Sequence, residues 1–214
     1  MSFPLWLAFF AAAWAISISP GPGAVAVMSA SLNHGFARGY FATFGLILGL
    51  WTQLFVVAVG LGAVIATSAV AFAVVKWAGV AYLVWLGIRQ WRAAPLPFAG
   101  AGGGGGGGAV APATSRRRLV GQAWLLNALN PKGTAFMLAV VPQFLTPGEP
   151  LLPQYLVIAA TLTFTDLVVN AVYAALAARL LGLLRTPMRL RAVNRVFGSL
   201  FIGLGVLLAT FKRT

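Results

Sequence analysis

Leu129-Asn130-Pro131-Lys132-Gly133 lies inside an apolar run from about Leu119 to Leu145. That run is long enough to cross a bilayer, which takes about 20 residues. Proline in mid-helix removes a backbone donor and clashes with the carbonyl four residues back, here that of Asn127. A lysine ammonium at membrane depth costs roughly 3 kcal/mol on insertion scales. A segment that carries both at one point has a use for them. A matching break stands near the N-terminus, at Ser19-Pro20-Gly21-Pro22-Gly23. There Pro20 and Pro22 free the carbonyls of Ile16 and Ile18, and the amides opening the next half-helix form a site for an anionic group. These two stretches predict a membrane transporter built from two halves, each with a broken helix.

Composition points the same way. Of 214 residues, 60% are hydrophobic and 8% charged, against about 25% charged in a soluble domain. Besides the breaks, six apolar runs stand out, at about Pro4–Leu32, Tyr40–Ala66, Val70–Trp91, Leu119–Leu145, Leu152–Leu181 and Val196–Phe211. The expected fold is an all-α polytopic membrane protein of six transmembrane helices, with helices 1 and 4 broken at proline. A five-helix count is the alternative. The N-terminal run lacks a basic segment before Arg38 and reads as the first membrane helix rather than a cleaved signal peptide.

Between the third and fourth runs lies a hydrophilic segment with seven consecutive glycines, Gly102 through Gly108. This reads as a flexible linker and divides the chain into 1–92, 93–118 and 119–214. The halves share a faint repeat. Lys76-x-x-Gly79-x-x-Tyr82-Leu83 matches Arg195-x-x-Gly198-x-x-Phe201-Ile202 at a constant separation of 119 positions. Three helices per repeat is an odd number, so the halves must insert with opposite orientation, as in transporters built of inverted repeats.

The net charge of +13 does not imply nucleic acid, because the arginines gather between apolar runs. Arg38, then Arg89, Arg92 and Arg116 to Arg118, then Arg179, Arg185, Arg189, Arg191 and Arg195 fall on one side, and Lys212 and Arg213 on the other. Eleven against two predicts cytoplasmic Arg-rich loops and both termini outside.

Asp166 is the one acid within an apolar run, and Lys132 the one base near the middle of one. They read either as a structural ion pair or as groups on a substrate or proton pathway. A zwitterion such as an amino acid needs donors for its carboxylate and acceptors for its ammonium. Lys132, Asn130 and the half-helix amides offer donors; Asp166 and the carbonyls of Ile16, Ile18 and Asn127 offer acceptors. The small-residue patterns Gly35-x-x-x-Gly39 and Gly45-x-x-x-Gly49 read as helix packing. The chain has no cysteine and one histidine, His34. It has no HExxH, no Ser/His/Asp arrangement and no paired carboxylates, which argues against an enzyme and against a redox or metal-handling membrane protein. No cofactor is expected.

Over its whole length the chain resembles the LysE/RhtB amino-acid exporters. The stretches that carry the resemblance are Ser19-Pro20-Gly21-Pro22-Gly23, Ser31-Leu32-Asn33-His34-Gly35, Lys76 through Ile88, Asn130-Pro131-Lys132-Gly133, Pro142-Gln143-Phe144 and Phe197-Gly198-Ser199-Leu200-Phe201. The glycine linker departs from the polar, charged loop usual there. The resemblance implies a proton-coupled exporter of small amino acids in the bacterial cytoplasmic (inner) membrane. Homoserine, homoserine lactone and threonine lead among the substrates, and leucine or a basic amino acid is the alternative. Its partners would be the amino acid, protons and lipid, with a homo-oligomer left open. The expected substrate-binding residues are Ser19, Pro20, Gly21, Pro22, Gly23, Asn130, Pro131, Lys132 and Asp166, with Asp166 also carrying the proton.

Overall fold

The computed structural model describes residues 1–67, 69–92, 115–146, 148–177, 179 and 187–210. Most of the linker, together with Arg185, Lys212 and Arg213, lies outside these residues. Among the described residues every regular element is helical. They are α1 (Phe3–Ile18), α2 (Pro22–His34), α3 (Phe36–Thr67), α4 (Ala69–Arg92), α5 (Arg116–Ala128), α6 (Pro131–Val140) with a 3-10 turn (Val141–Phe144), α7 (Leu151–Ala175) and α8 (Pro187–Thr210).

The prolines start helices rather than kink them. Pro22 and Pro131 each occupy the first helical position, where the missing N–H is no loss and the fixed φ suits the helix. Gly21 precedes α2 in an extended conformation. Asn130 precedes α6, and its side chain accepts a hydrogen bond from Lys132 N at 3.1 Å. The first run thus folds as two helices that meet at 54°, and the fourth as α5 and α6 separated by Leu129 and Asn130. By length and composition, two described helices are able to cross a membrane, 36–60 of α3 and all of α7, and the α1–α2 pair makes a third if it is one span.

Most of the described arginines sit in helix turns near the ends of helices rather than in loops. Arg38 is in the first turns of α3, Arg89 and Arg92 end α4, and Arg116 to Arg118 open α5. The sixth run begins well before Val196, because Pro187 starts α8 and places Arg189, Arg191 and Arg195 inside the helix. Only Gly35, at φ 80°, separates α2 from α3.

Small residues allow close helix contact. A Cβ on Gly49 would lie 2.7 Å from Asn127 Cβ and 2.8 Å from Ala128 N, so α3 and α5 touch backbone to backbone. The contact between α4 and α8 is reciprocal: a Cβ on Gly87 would lie 2.7 Å from Gly198 O, and one on Gly198 would lie 2.7 Å from Gly87 O. The packing reading of Gly45-x-x-x-Gly49 therefore holds. Further, α3 packs on both α5 and α6, and α7 packs on both α1 and α2. Each of these long helices lies across a break contributed by the other half of the chain.

The main core joins Phe9, Leu83, Phe136, Phe144, Ile158, Leu162 and Phe201, all almost fully buried. Many large apolar side chains remain exposed, among them Phe55, Val59, Val70, Leu152 and Leu156. A soluble monomer rarely shows so much apolar surface, and lipid is the medium that suits it.

Candidate functional site

The two breaks meet around one cavity. It has a volume of about 100 Å³, where a single water needs roughly 10–15 Å³. Six of the nine expected site residues line it: Ser19, Gly21, Gly23, Asn130, Lys132 and Asp166. Pro20, Pro22 and Pro131 do not. They shape the breaks, and their neighbours face the space.

Lys132 leaves the second position of α6 and reaches the first break, where its Nζ donates to Ser19 Oγ at 2.6 Å. The same ammonium stands 5.5 Å from the centre of the Phe201 ring, within cation–π range. Ser19 is buried, so this bond joins the two halves inside the protein. In the same cavity Asp166 Oδ1 accepts from Ser17 Oγ at 2.7 Å. Ser17 Oγ also lies 3.0 Å from Thr165 Oγ1. One turn along α7, Asn170 Nδ2 donates to the backbone carbonyl of Asp166 at 2.8 Å. Among the described residues no ion pair joins Lys132 to Asp166; each has a serine partner instead. The two charged groups thus line one cavity without pairing, and the protein leaves protons on Nζ and one carboxylate oxygen unclaimed.

The freed carbonyls are a correction to the expectation from sequence, since each finds a donor within the protein. Ile16 O accepts from Ser19 N at 3.2 Å. Ile18 O accepts from Tyr173 Oη at 2.5 Å. Asn127 O accepts from Gln53 Nε2 at 2.7 Å and from Asn130 N at 3.0 Å. Buried carbonyls are seldom left unpaired; the helices crossing the breaks supply donors to Ile18 and Asn127, and the first break itself supplies one to Ile16. Asp166 is therefore the main anionic acceptor of the cavity. The amides of Gly23 and Ala24 at the start of α2 have no intrahelical carbonyl to bond, as for any first turn, and no side chain caps them.

Sequence reasoning missed Ser17, Gln53, Asn170 and Tyr173, all of which line the cavity. Gln53 had a readable signal: it is the one amide side chain in the apolar run Tyr40–Ala66. Asn170 falls one helical turn from Asp166 and shares its face. Among the described residues no three His, Cys, Asp or Glu side chains come together as a metal-ligating cluster.

A broken pair of half-helices, an unpaired ammonium and carboxylate lining one small cavity, and an apolar exterior describe a membrane translocator. The chain belongs to the family of LysE type translocators, which it matches over residues 14–211. It is 41% identical over 212 residues to the homoserine/homoserine lactone efflux protein of Salmonella typhi, covering 99% of each chain. An uncharacterized membrane protein of Vibrio cholerae is 39% identical over 213 residues, with 99% of this chain and 100% of that one covered. The leucine efflux protein of an Enterobacter species is 26% identical over 200 residues, 92% of each. No solved structure matches the chain.

Proposed function

We propose that this protein is a secondary transporter that exports small amino acids across the bacterial cytoplasmic membrane in exchange for protons. Homoserine, its lactone and threonine are the leading substrates. The observation that carries the reading is that Lys132 and Asp166 line one cavity unpaired, Lys132 bonded to Ser19 of the first break and Asp166 to Ser17 at the end of α1. A zwitterion such as homoserine or threonine suits these two charges: its carboxylate displaces Ser19 at Lys132, and its ammonium meets Asp166 in place of a proton. The lactone, which has no carboxylate, engages Asp166 through its ammonium alone. Charge-assisted bonds of this kind are about twice as strong as neutral ones. The relative at 41% identity is named for homoserine and homoserine lactone efflux, whereas the one named for leucine efflux is more distant.

The architecture that goes with this function is six spans in two inverted repeats, 1–92 and 119–214, joined by the linker 93–118. The reciprocal Gly87–Gly198 contact between the matched third helices supports it, as does the crossing of each break by a helix of the other half. Arg-rich helix ends then face the cytoplasm and both termini face outward.

Efflux from cells preloaded with labelled homoserine, threonine, leucine or lysine, with and without a protonophore, tests the function. The expected result is protonophore-sensitive loss of homoserine or threonine and retention of lysine. Selective lysine or leucine efflux contradicts the substrate assignment, and efflux untouched by the protonophore contradicts the coupling.

A further inference from the structure

Gln53 sits on α3 with only 4% of its surface exposed. Its Nε2 donates to Asn127 O at 2.7 Å, to Asn130 O at 2.9 Å and to Thr134 Oγ1 at 3.0 Å. Two of these partners are backbone carbonyls, which can only accept, so the orientation of the amide is decided by its surroundings. With the nitrogen turned to the α5–α6 break, Oε1 must face the other way. It comes to 2.7 Å from the point a Cβ on Gly133 would occupy, and both Gln53 and Gly133 line the cavity. Among the described residues no donor reaches this oxygen. A nearly buried amide whose acceptor is unpartnered, beside a cavity also lined by Asn130, Lys132 and Asp166, lacks a donor that a ligand is able to bring.

We propose that Gln53 Oε1 contacts the substrate and accepts the side-chain hydroxyl of a hydroxy amino acid, setting the preference for such substrates over aliphatic ones. This rests on the transport reading above. Charge matching assigns the partners. Lys132 takes the carboxylate and ionised Asp166 the ammonium, which leaves the neutral acceptor for a neutral donor. Gly133 belongs to the same device, because any larger residue there would stand against Oε1. A pocket built to bond a hydroxyl rejects an analogue lacking it far more strongly than an apolar pocket rejects one methylene.

The probe is 2-aminobutyrate, which is homoserine without its hydroxyl. Cells carrying the parent protein, Gln53→Met or Gly133→Ala are preloaded with either labelled compound, and initial efflux rates are compared. The parent should export homoserine at least tenfold faster than 2-aminobutyrate, and both variants should bring that ratio close to one. Gly133→Ala retains the Gln53 side chain and presses hardest on Oε1, at 2.7 Å against 3.2 Å for Nε2, so it carries the test if Gln53→Met fails to reach the membrane. A purely structural role for Gln53 would lower both rates together and leave the ratio unchanged, which overturns the inference. So does a parent protein that exports the two compounds equally. Absence of homoserine efflux from the parent overturns the transport reading itself, before any variant is compared.

Discussion

Lys132 Nζ lies 2.6 Å from Ser19 Oγ, so the cation of the second helix break closes onto the hydroxyl of the first. The bond links parts of the chain 113 residues apart and gives the ammonium one protein partner with a hydrogen. Two of its three protons remain for a ligand. Lys132→Gln should therefore reduce amino-acid efflux at least tenfold, measured in cells with equal amounts of protein in the membrane. Lys132→Arg should not restore it, because the larger planar head presents its donors in a different geometry.

Asp166 is tied to Ser17 by one carboxylate oxygen, which leaves the other for a proton or an ammonium. If it exchanges the two, efflux by the parent protein quickens as the outside is made more acidic, since protons then enter as substrate leaves. Asp166→Asn removes the titrating group, and its residual efflux should not change between acidic and neutral external medium. Rates across an imposed pH gradient in proteoliposomes supply the measurement.

Tyr173 Oη donates to Ile18 O, a carbonyl deprived of its helical donor by Pro22. Tyr173→Phe leaves that carbonyl unpaired at a cost of about 1–3 kcal/mol. The midpoint of thermal unfolding of the purified protein should fall accordingly, with α1 and α2 losing amide protection first.

Gly49 stands where α3 meets the backbone of α5. Gly49→Val would force side-chain and backbone atoms into the same space, and overpacking of this kind costs about 1–3 kcal/mol or more. Lower thermal stability and reduced accumulation in the membrane are expected. Gly60→Ala, at a position with open space around it, should be tolerated and serves as the control.

Gly35 has φ 80° and ψ 162°, a region essentially restricted to glycine. Gly35→Ala should destabilise the α2–α3 junction by about 1–3 kcal/mol. The same thermal measurement checks it.

The breaks were legible from sequence because proline and glycine act locally, through a missing donor and a permitted dihedral. Lys132 and Asp166 were legible because a charge in an apolar run is costly and rarely stands there without a role. What escaped was which groups close on which. The carbonyls of Ile16, Ile18 and Asn127 read as free, since their donors come from Ser19, Tyr173 and Gln53, and two of those lie on helices distant in sequence. Ser17 and Gln53 were passed over, because their roles depend on packing that brings α7 across the first break and α3 across the second. The start of α8 was misjudged for a different reason. Arg189, Arg191 and Arg195 lower the hydropathy of its first turns, yet arginine is a good helix former, and Pro187 supplies a suitable first residue.

In the proposed transport cycle the amino acid sits in the cavity between the two breaks, held by Lys132 and Asp166. Equilibrium binding of labelled homoserine to the purified protein, beside Lys132→Gln and Asp166→Asn, tests this most directly. Saturable binding by the parent and at least a tenfold loss of affinity in each variant is the predicted result. Binding of unchanged affinity in both variants would contradict it, because the substrate would then rest somewhere other than between these two charges.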